Sequence, residues 1–288
     1  MRRMMRMKRT KAYKTVAEGQ RLMVIPMVVW SVVFILLPLA LVFYNAFYGT
    51  DGFTLDAFAM VFSSNGIYLR VLLNSIVLAL ESTLICLILG YPLALILSKR
   101  ASASFMIMIF ILPMWMNFLL RTYSWLSILG KNGLLNHLLT WLGLPAQKLI
   151  NTRGAVVLGM VYNFLPFMVL PIYNALKKID SSLIEASSDL GASSLHTFGR
   201  VILPLSMPGV YSGISMVFLP AVTTFVIPSL LGGGKVDMIG NIIESQFLRT
   251  NNWAFGSALA LILMVISLLF MNLSSRYNAE ENERGGLL

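Results

Sequence analysis

Long apolar runs constrain what this chain can fold into more than any other feature of its sequence. A helix needs about 20 apolar residues to cross the hydrocarbon core of a membrane, and six stretches approach or exceed that length. Only 12% of the residues are charged, about half of the roughly 25% found in soluble proteins. We therefore predict an all-α polytopic membrane protein with six transmembrane helices. The six stretches are Leu22–Phe47, Val71–Leu97, Ala103–Leu120, Ala155–Leu176, Val201–Leu231 and Trp253–Leu273.

Two of these stretches have features that predict irregular helices. Apolar residues continue past the end of the third stretch towards Leu129. Proline removes a backbone donor and clashes with the preceding helical turn, so we expect kinks in the fifth span. The prolines of that span are Pro204, Pro208, Pro220 and Pro228.

The distribution of basic residues orients the spans. Segment 1–21 contains eight Lys and Arg residues against a single acid, and Lys and Arg are enriched on the cytoplasmic side of membrane proteins. The apolar run that follows is about 26 residues long, whereas a cleaved signal peptide has an apolar region of about 7–15 residues. We therefore expect a basic cytoplasmic N-terminal segment 1–21, a transmembrane domain 22–274, a cytoplasmic tail 275–288 and both termini in the cytoplasm. The polar end of the tail, 279–288, is expected to be disordered.

One polar segment in the second half of the chain, 180–210, keeps a helical pattern. Ser182 and Glu185 have the S-x-x-E spacing of a capping box, which predicts that a helix begins there. Gly191 suits the left-handed position that ends such a helix. A serine two or three residues further on can cap a second short helix. We predict two short helices joined by a glycine bend, followed by the entry into the fifth span.

Two alternatives for segment 180–210 are a plain connecting loop and a DNA-binding helix-turn-helix, which also bends at a glycine. The segment carries three acids and few cations, a poor match to phosphate, so we expect no nucleic acid partner. His137 and His196 are isolated, with no second ligand at metal-site spacing. A P-loop would need Gly at position 229 and Ser or Thr at 236, where this chain has Ser229 and Val236. We therefore expect no metal, no cofactor and no enzyme activity in this chain.

Segment 180–204 resembles the EAA loop of ABC importer permeases, and we call it the EAA loop. The family pattern is E-A-A, three residues, G, nine residues, I, one residue, L-P, and the chain departs from it only at Ser187 and Val201. The resemblance implies a type I ABC importer permease fold in which this loop is a coupling helix that docks on a separate ATPase. The implied docking residues are Glu185, Ala186, Ser187, Asp189, Leu190, Gly191, Leu203 and Pro204.

Further segments resemble one branch of that family, the spermidine/putrescine permeases of PotB type. They are 89–94, 112–117, 161–169 and 231–247, and the resemblance runs from about Val71 to Leu273 without the basic N-terminus. It implies inward polyamine transport in the inner or plasma membrane of a bacterium. The implied partners are two ATPase subunits that bind ATP and Mg, a second related permease, an extracytoplasmic polyamine-binding protein and the lipid bilayer.

Two other functions remain open at this point. An importer of the same build can carry ferric iron, an inorganic anion or another small organic solute, because selectivity can reside in the binding protein. A secondary transporter or channel working alone is the other alternative. Inverted repeats or several intramembrane charges would support it, and the sequence has neither.

Glu81 is the only carboxylate deep within an apolar stretch. It follows Val71 by ten residues, which places it about 15 Å into a hydrocarbon core about 30 Å thick. An acid facing lipid there costs about 2.5–3.5 kcal/mol. Glu81 is therefore either a candidate residue of a cation path or part of a structural pair, for which Arg121 is a possible partner.

Aromatic faces and further acids complete the candidate set. Trp115, Tyr162 and Phe225 lie in apolar stretches, where an aromatic ring either packs or binds a cation. Asp237 and Glu244 lie in the segment after the fifth stretch. We interpret them as a candidate outer entrance, with solvated loop charges as the alternative.

Overall fold

The computed structural model of the chain describes residues 24–49, 52–63, 66–100 and 103–285. Within these residues, five helices are long and apolar enough to cross a membrane, and a bent helix pair makes a sixth span if it is counted as one. The all-α architecture predicted from the apolar runs is confirmed. The predicted basic segment 1–21 lies outside the described residues.

The helices are numbered here in chain order. A short antiparallel hairpin, β1 (Tyr48–Gly49) and β2 (Gly52–Phe53), follows the first helix and pairs Tyr48 with Phe53. The helices are α1 (Val24–Phe47), α2 (Asp56–Ser63), α3 (Ile67–Ser98), α4 (Ala103–Ile111), α5 (Phe118–Leu129), α6 (Leu134–Trp141), α7 (Arg153–Lys177), α8 (Ser181–Asp189), α9 (Ser194–Thr197), α10 (Leu203–Thr223), α11 (Val226–Leu231), α12 (Ile239–Leu248) and α13 (Trp253–Gly285).

The third span is broken, whereas the sequence predicted a continuous helix there. After α4 the chain forms a 3₁₀ turn, Leu112–Trp115, and α5 then leaves at 89°. Met116 is extended, and the Asn117 side chain accepts hydrogen bonds from the N–H groups of Leu119 and Leu120. These N–H groups have no partner within a new helix, so the cap stabilises the break in the middle of an apolar run.

The fifth span also differs from its prediction. The second short helix, α9, is not separate, because a π turn at Phe198–Ile202 joins it to α10 in one helix, Ser194–Thr223. The prolines at 208 and 220 lie inside this helix without ending it. The chain breaks instead at Thr224, which is extended, and α11 follows as a short separate helix.

The polar tail is helical as far as Gly285, so its predicted disorder is wrong for these residues. Helix α13 begins in the last apolar stretch and continues through the polar sequence N-A-E-E-N-E-R. Ala, Glu and Arg are strong helix formers, so an existing helix can extend through this sequence.

Helix α7 lies at the centre of the bundle, between α3 and α10. Glycines on the neighbouring helices allow close approach: a Cβ at Gly90 would lie 3.1 Å from Met168 Cγ, and one at Gly213 would lie 2.7 Å from Met168 Sδ. Helix α13 packs on α10, and α1 packs on α13. The bundle has an EAA-loop end, where α3 and α7 finish, and a far end, where they begin.

The close approach of α10 to α7 at Gly209 gives a test of the packing. We expect Gly209→Ala to lower the thermal stability of the purified protein, because its Cβ would lie 2.6 Å from Ala175 Cβ and 2.7 Å from the Pro171 carbonyl oxygen. Overpacking of this kind costs about 1–3 kcal/mol. The matched control is Gly199→Ala, whose Cβ enters open space. Equal melting temperatures for the two variants would contradict the packing of α10 on α7.

Candidate functional site

The first helix of the EAA loop, α8, begins two residues earlier than predicted. Its N-cap is Asp180, whose carboxylate accepts a hydrogen bond from the Ser182 N–H at 3.0 Å. The predicted capping box of Ser182 and Glu185 is therefore wrong. Hydrogen bonds from the backbone and side chain of Ser182 lower the pKa of Asp180, which favours the charged acceptor at the positive end of the helix.

Gly191 ends α8 as predicted. It has φ +76°, a left-handed conformation that glycine adopts without strain. Its N–H donates to the Ser188 carbonyl at 2.9 Å, and the Ala192 N–H donates to the Ser187 carbonyl at 3.1 Å. This pair of bonds is a Schellman motif, which satisfies the last carbonyls of the helix and fixes the direction of the chain beyond it.

A side-chain hydrogen bond then joins the two helices of the loop. Ser193 caps α9 by accepting a hydrogen bond from the His196 N–H. The Ser187 and Thr197 hydroxyl oxygens lie 2.9 Å apart, so the serine that departs from the family pattern connects α8 to α9. The cap, the glycine bend and this bond together hold the EAA loop in one shape.

The outer surface of the EAA loop combines acids with large apolar side chains. Glu185 and Asp189 are exposed one turn apart on α8, and neither forms an ion pair with another described residue. Leu190 is 88% exposed and Leu195 is 82% exposed. Exposed apolar side chains next to unpaired acids are typical of a protein interaction surface with a basic rim on the partner.

The other side of the EAA loop is attached to the bundle through Tyr91 of α3. The Tyr91 hydroxyl lies 2.7 Å from the Ser206 hydroxyl, and its ring meets the Phe198 ring edge-on with centroids 5.9 Å apart. Leu203 and Pro204 lie between these contacts, at the start of α10. In the sequence, Tyr91 is marked only by its place in the family-like segment 89–94, and no local pattern predicts this contact.

Glu81 has a partner that the sequence did not identify. Arg153, the first residue of α7, donates from Nη2 to Glu81 Oε1 at 2.8 Å and from Nε to Oε2 at 3.1 Å. The Arg153 Nη1 donates to Asn74 Oδ1 at 3.2 Å. This is the one ion pair found among the described residues. The predicted alternative partner, Arg121, is wrong.

Glu81 lies near the middle of α3. The helix has 32 residues, so it is about 48 Å long and exceeds a hydrocarbon core of about 30 Å. Glu81 is residue 15 of these 32, and it binds the first side chain of α7. Its depth of about 15 Å in the hydrocarbon core stays a prediction.

Arg121 is instead buried beside the break in the third span, with 9% exposure. It donates from Nη1 to the Pro113 carbonyl oxygen at 3.1 Å. Its guanidinium carbon lies 6.0 Å from the centre of the Phe118 ring and 5.9 Å from that of Tyr162. The 89° bend between the two halves of the span brings Arg121 back over the turn that precedes α5.

The candidate aromatic residues do not meet one another. Trp115 is 82% exposed at the break of the third span, Tyr162 packs edge-on against Trp125, and Phe225 lies at the break between α10 and α11. In the described part of the chain, no ring contact or hydrogen bond joins these three to each other or to Glu81.

The candidate entrance lies close to the Glu81 pair on one side. Asn74 donates from Nδ2 to the Asp237 carbonyl oxygen at 3.4 Å, and the Ile239 N–H donates to the Ser75 hydroxyl at 2.7 Å. Asp237 is thereby held against α3 beside Arg153. Glu244 lies further along, on the half-buried helix α12.

Comparison with known proteins identifies the family of this chain. The family model of the binding-protein-dependent transport system inner membrane component matches residues 86–278. The chain belongs to this family. It is a membrane-spanning permease of a binding-protein-dependent transport system.

Two relatives match most of the permease. The spermidine/putrescine transport system permease protein PotB of Haemophilus influenzae is 40% identical over 264 residues, which are 88% of this chain and 92% of that protein. The protein of the same name in Escherichia coli is 40% identical over 255 residues, 85% of this chain and 92% of that protein. These matches extend well beyond the EAA loop.

A solved structure has the same fold. A chain of a bacterial ABC transporter involved in the import of the acidic polysaccharide alginate superposes with a TM-score of 0.75 at 18% identity, over 94% of this permease and 99% of that chain. At this identity the likeness concerns the fold alone, and it confirms the predicted ABC importer permease architecture.

The glycine bend gives a test of the EAA loop. We expect Gly191→Val to abolish ATP-dependent transport while the permease still inserts in the membrane. A β-branched residue at φ +76° costs about 1–2 kcal/mol of backbone strain, which the chain can relieve by redirecting α9.

The matched control is Gly143→Val at the far end, where φ is +78° and a Cβ also meets open space. It introduces the same strain away from the EAA loop, so uptake into vesicles should be retained. Normal uptake by the Gly191 variant would contradict a docking role for the loop.

Proposed function

We propose that this permease imports polyamines such as spermidine and putrescine, driven by ATP hydrolysis in a separate ATPase. The observation that carries the coupling is the EAA loop, a rigid pair of helices with an exposed acidic and apolar surface that is continuous with a span. Movement of a docked ATPase would tilt the helix Ser194–Thr223 and open the bundle alternately to either side. The PotB relatives support the choice of solute.

The proposed assembly contains several subunits besides this permease, as its membership of a binding-protein-dependent transport family supports. Two ATPase subunits hold ATP and Mg, a second related permease supplies the other half of the path, and an extracytoplasmic polyamine-binding protein delivers the solute. The EAA-loop end faces the cytoplasm, as do both termini with the basic segment 1–21. The far end lies on the extracytoplasmic side of the inner membrane, where it faces the binding protein.

The proposed path for the solute begins at the far end. Asp237 and Glu244 border the entrance, and Glu81 is the next acid inward. Trp115, Tyr162 and Phe225 present partly exposed rings, with exposures of 82%, 40% and 43%. A polyamine needs carboxylates and aromatic faces to replace the water around its ammonium groups.

Co-purification followed by transport tests the assembly and the solute together. The tagged permease is co-expressed with its genomic neighbours, purified in detergent and reconstituted, and uptake of radiolabelled spermidine is measured with and without ATP. We expect an ATPase to co-purify and uptake to require ATP. Co-purification without spermidine uptake would indicate another solute, and uptake by the chain alone on an ion gradient would contradict an ATP-driven importer.

The path role of Glu81 gives a kinetic prediction. We expect Glu81→Gln to raise the half-saturating spermidine concentration roughly fivefold, because a half-exposed ion pair contributes up to about 1 kcal/mol. The control is Asp56→Asn, which removes an exposed acid at the start of α2. An unchanged half-saturating concentration together with a lower melting temperature would assign Glu81 a structural role instead.

A further inference from the structure

Three acceptor atoms converge on the Arg153 guanidinium. They are the two carboxylate oxygens of Glu81 and the side-chain oxygen of Asn74. Asn74 and Glu81 are seven residues apart on α3, which is two helical turns, so both project from the same face. Arg153 comes from another helix and reaches across to both of them.

This cluster is accessible from outside the chain. The side chains of Arg153 and Glu81 are 45% and 44% exposed, and Glu81 lies at the edge of the packed face of α3, next to the buried Ser82. A charged group in contact with lipid tails costs about 2.5–3.5 kcal/mol. In the assembled transporter this face therefore borders water or another subunit.

Arg153 is held weakly in its position. It is the first residue of α7, at the positive end of the helix dipole, where a cation is disfavoured. The described chain gives its side chain no acceptor other than those of Glu81 and Asn74. A half-exposed ion pair contributes little net stability, since water competes for both groups. Arg121 differs from Arg153 because its side chain is buried, so water does not compete for its guanidinium in the same way.

We infer that Arg153 is a tethered counter-ion that a primary ammonium group of the substrate displaces from Glu81 and Asn74. An ammonium group has three N–H donors, and the cluster offers three acceptor atoms. The inference rests on the proposed polyamine import and names how one site in that path takes a cation. Only a cationic solute can replace the guanidinium, so Arg153 acts as a specificity-determining residue that excludes neutral and anionic solutes.

Competition predicts the direction of a binding change. If Arg153 and the substrate share one site, removing the guanidinium makes the substrate bind more tightly. If Arg153 only holds Glu81 in place, removing the guanidinium disorders Glu81 and makes the substrate bind more weakly. The dissociation constant of the substrate therefore distinguishes the two roles, and stability alone does not.

The test uses the complete permease–ATPase complex in lipid nanodiscs without the binding protein. Equilibrium dialysis measures binding of radiolabelled spermidine to the wild type, Arg153→Gln and Arg70→Gln. We expect Arg153→Gln to lower the dissociation constant about two- to fivefold, the factor for an ion pair of up to about 1 kcal/mol. Arg70 is exposed on α3 one turn before Asn74 and forms no ion pair with a described residue. Its variant controls for the general loss of positive charge at the far end.

The outcomes separate this inference from the proposed function. A dissociation constant that is unchanged or raised in Arg153→Gln, or lowered equally in Arg70→Gln, overturns the inference while wild-type uptake of spermidine stands. Absence of wild-type binding and uptake overturns both. If Arg153→Gln does not assemble, Arg153→Lys decides, because lysine keeps the charge but loses the planar fork that engages both oxygens. For Arg153→Lys, a decrease in the dissociation constant that is smaller than the one expected for Arg153→Gln supports competition. An unchanged or raised dissociation constant contradicts it.

Discussion

Hydrocarbon offers no hydrogen-bond partner to a peptide group, and two breaks in the spans of this permease reflect that constraint. Where the third span breaks, the Asn117 side chain accepts hydrogen bonds from the new helix, and Arg121 donates to the Pro113 carbonyl oxygen. Where the fifth stretch breaks, Asn241 donates to the carbonyl oxygen of Phe225 at 2.8 Å. Polar side chains close to the breaks thus satisfy backbone groups that the breaks expose.

A small number of side-chain contacts links the EAA loop to the membrane domain. The Ser187–Thr197 bond fixes the loop internally, and Tyr91 connects it to α3 through Ser206 and Phe198. Helices α9 and α10 are parts of one continuous helix. A movement of α9 is therefore transmitted directly to α10, because no flexible linker lies between them. Coupling between a partner and the bundle therefore depends on a few side-chain contacts and one continuous helix.

Features of the fold could be predicted from the sequence where a short segment allows only one stable local structure. An apolar run of about 20 residues has few stable positions other than a membrane span, and Gly191 has few uses other than a left-handed helix end. Prediction failed where two distant segments meet. Hydropathy could not place the break at Asn117, since both halves of the span are apolar. The Glu81–Arg153 pair joins residues 72 positions apart, and Arg153 alone is indistinguishable from a loop cation.

The helix that runs from Ser194 to Thr223 sets the amplitude of any motion it transmits. Its 30 residues give a rod about 45 Å long, so a rotation of about 5° at one end displaces the other by about 4 Å. That displacement is comparable to the diameter of an ammonium group without its water layer. Pro208 and Pro220 each remove one backbone bond from the rod, so its bending stiffness is lowest near these two positions. In the proposed transport cycle, a small movement of the EAA loop therefore gives an opening of about the size of the solute's charged group, and bending at the two prolines reduces the movement that reaches the far end.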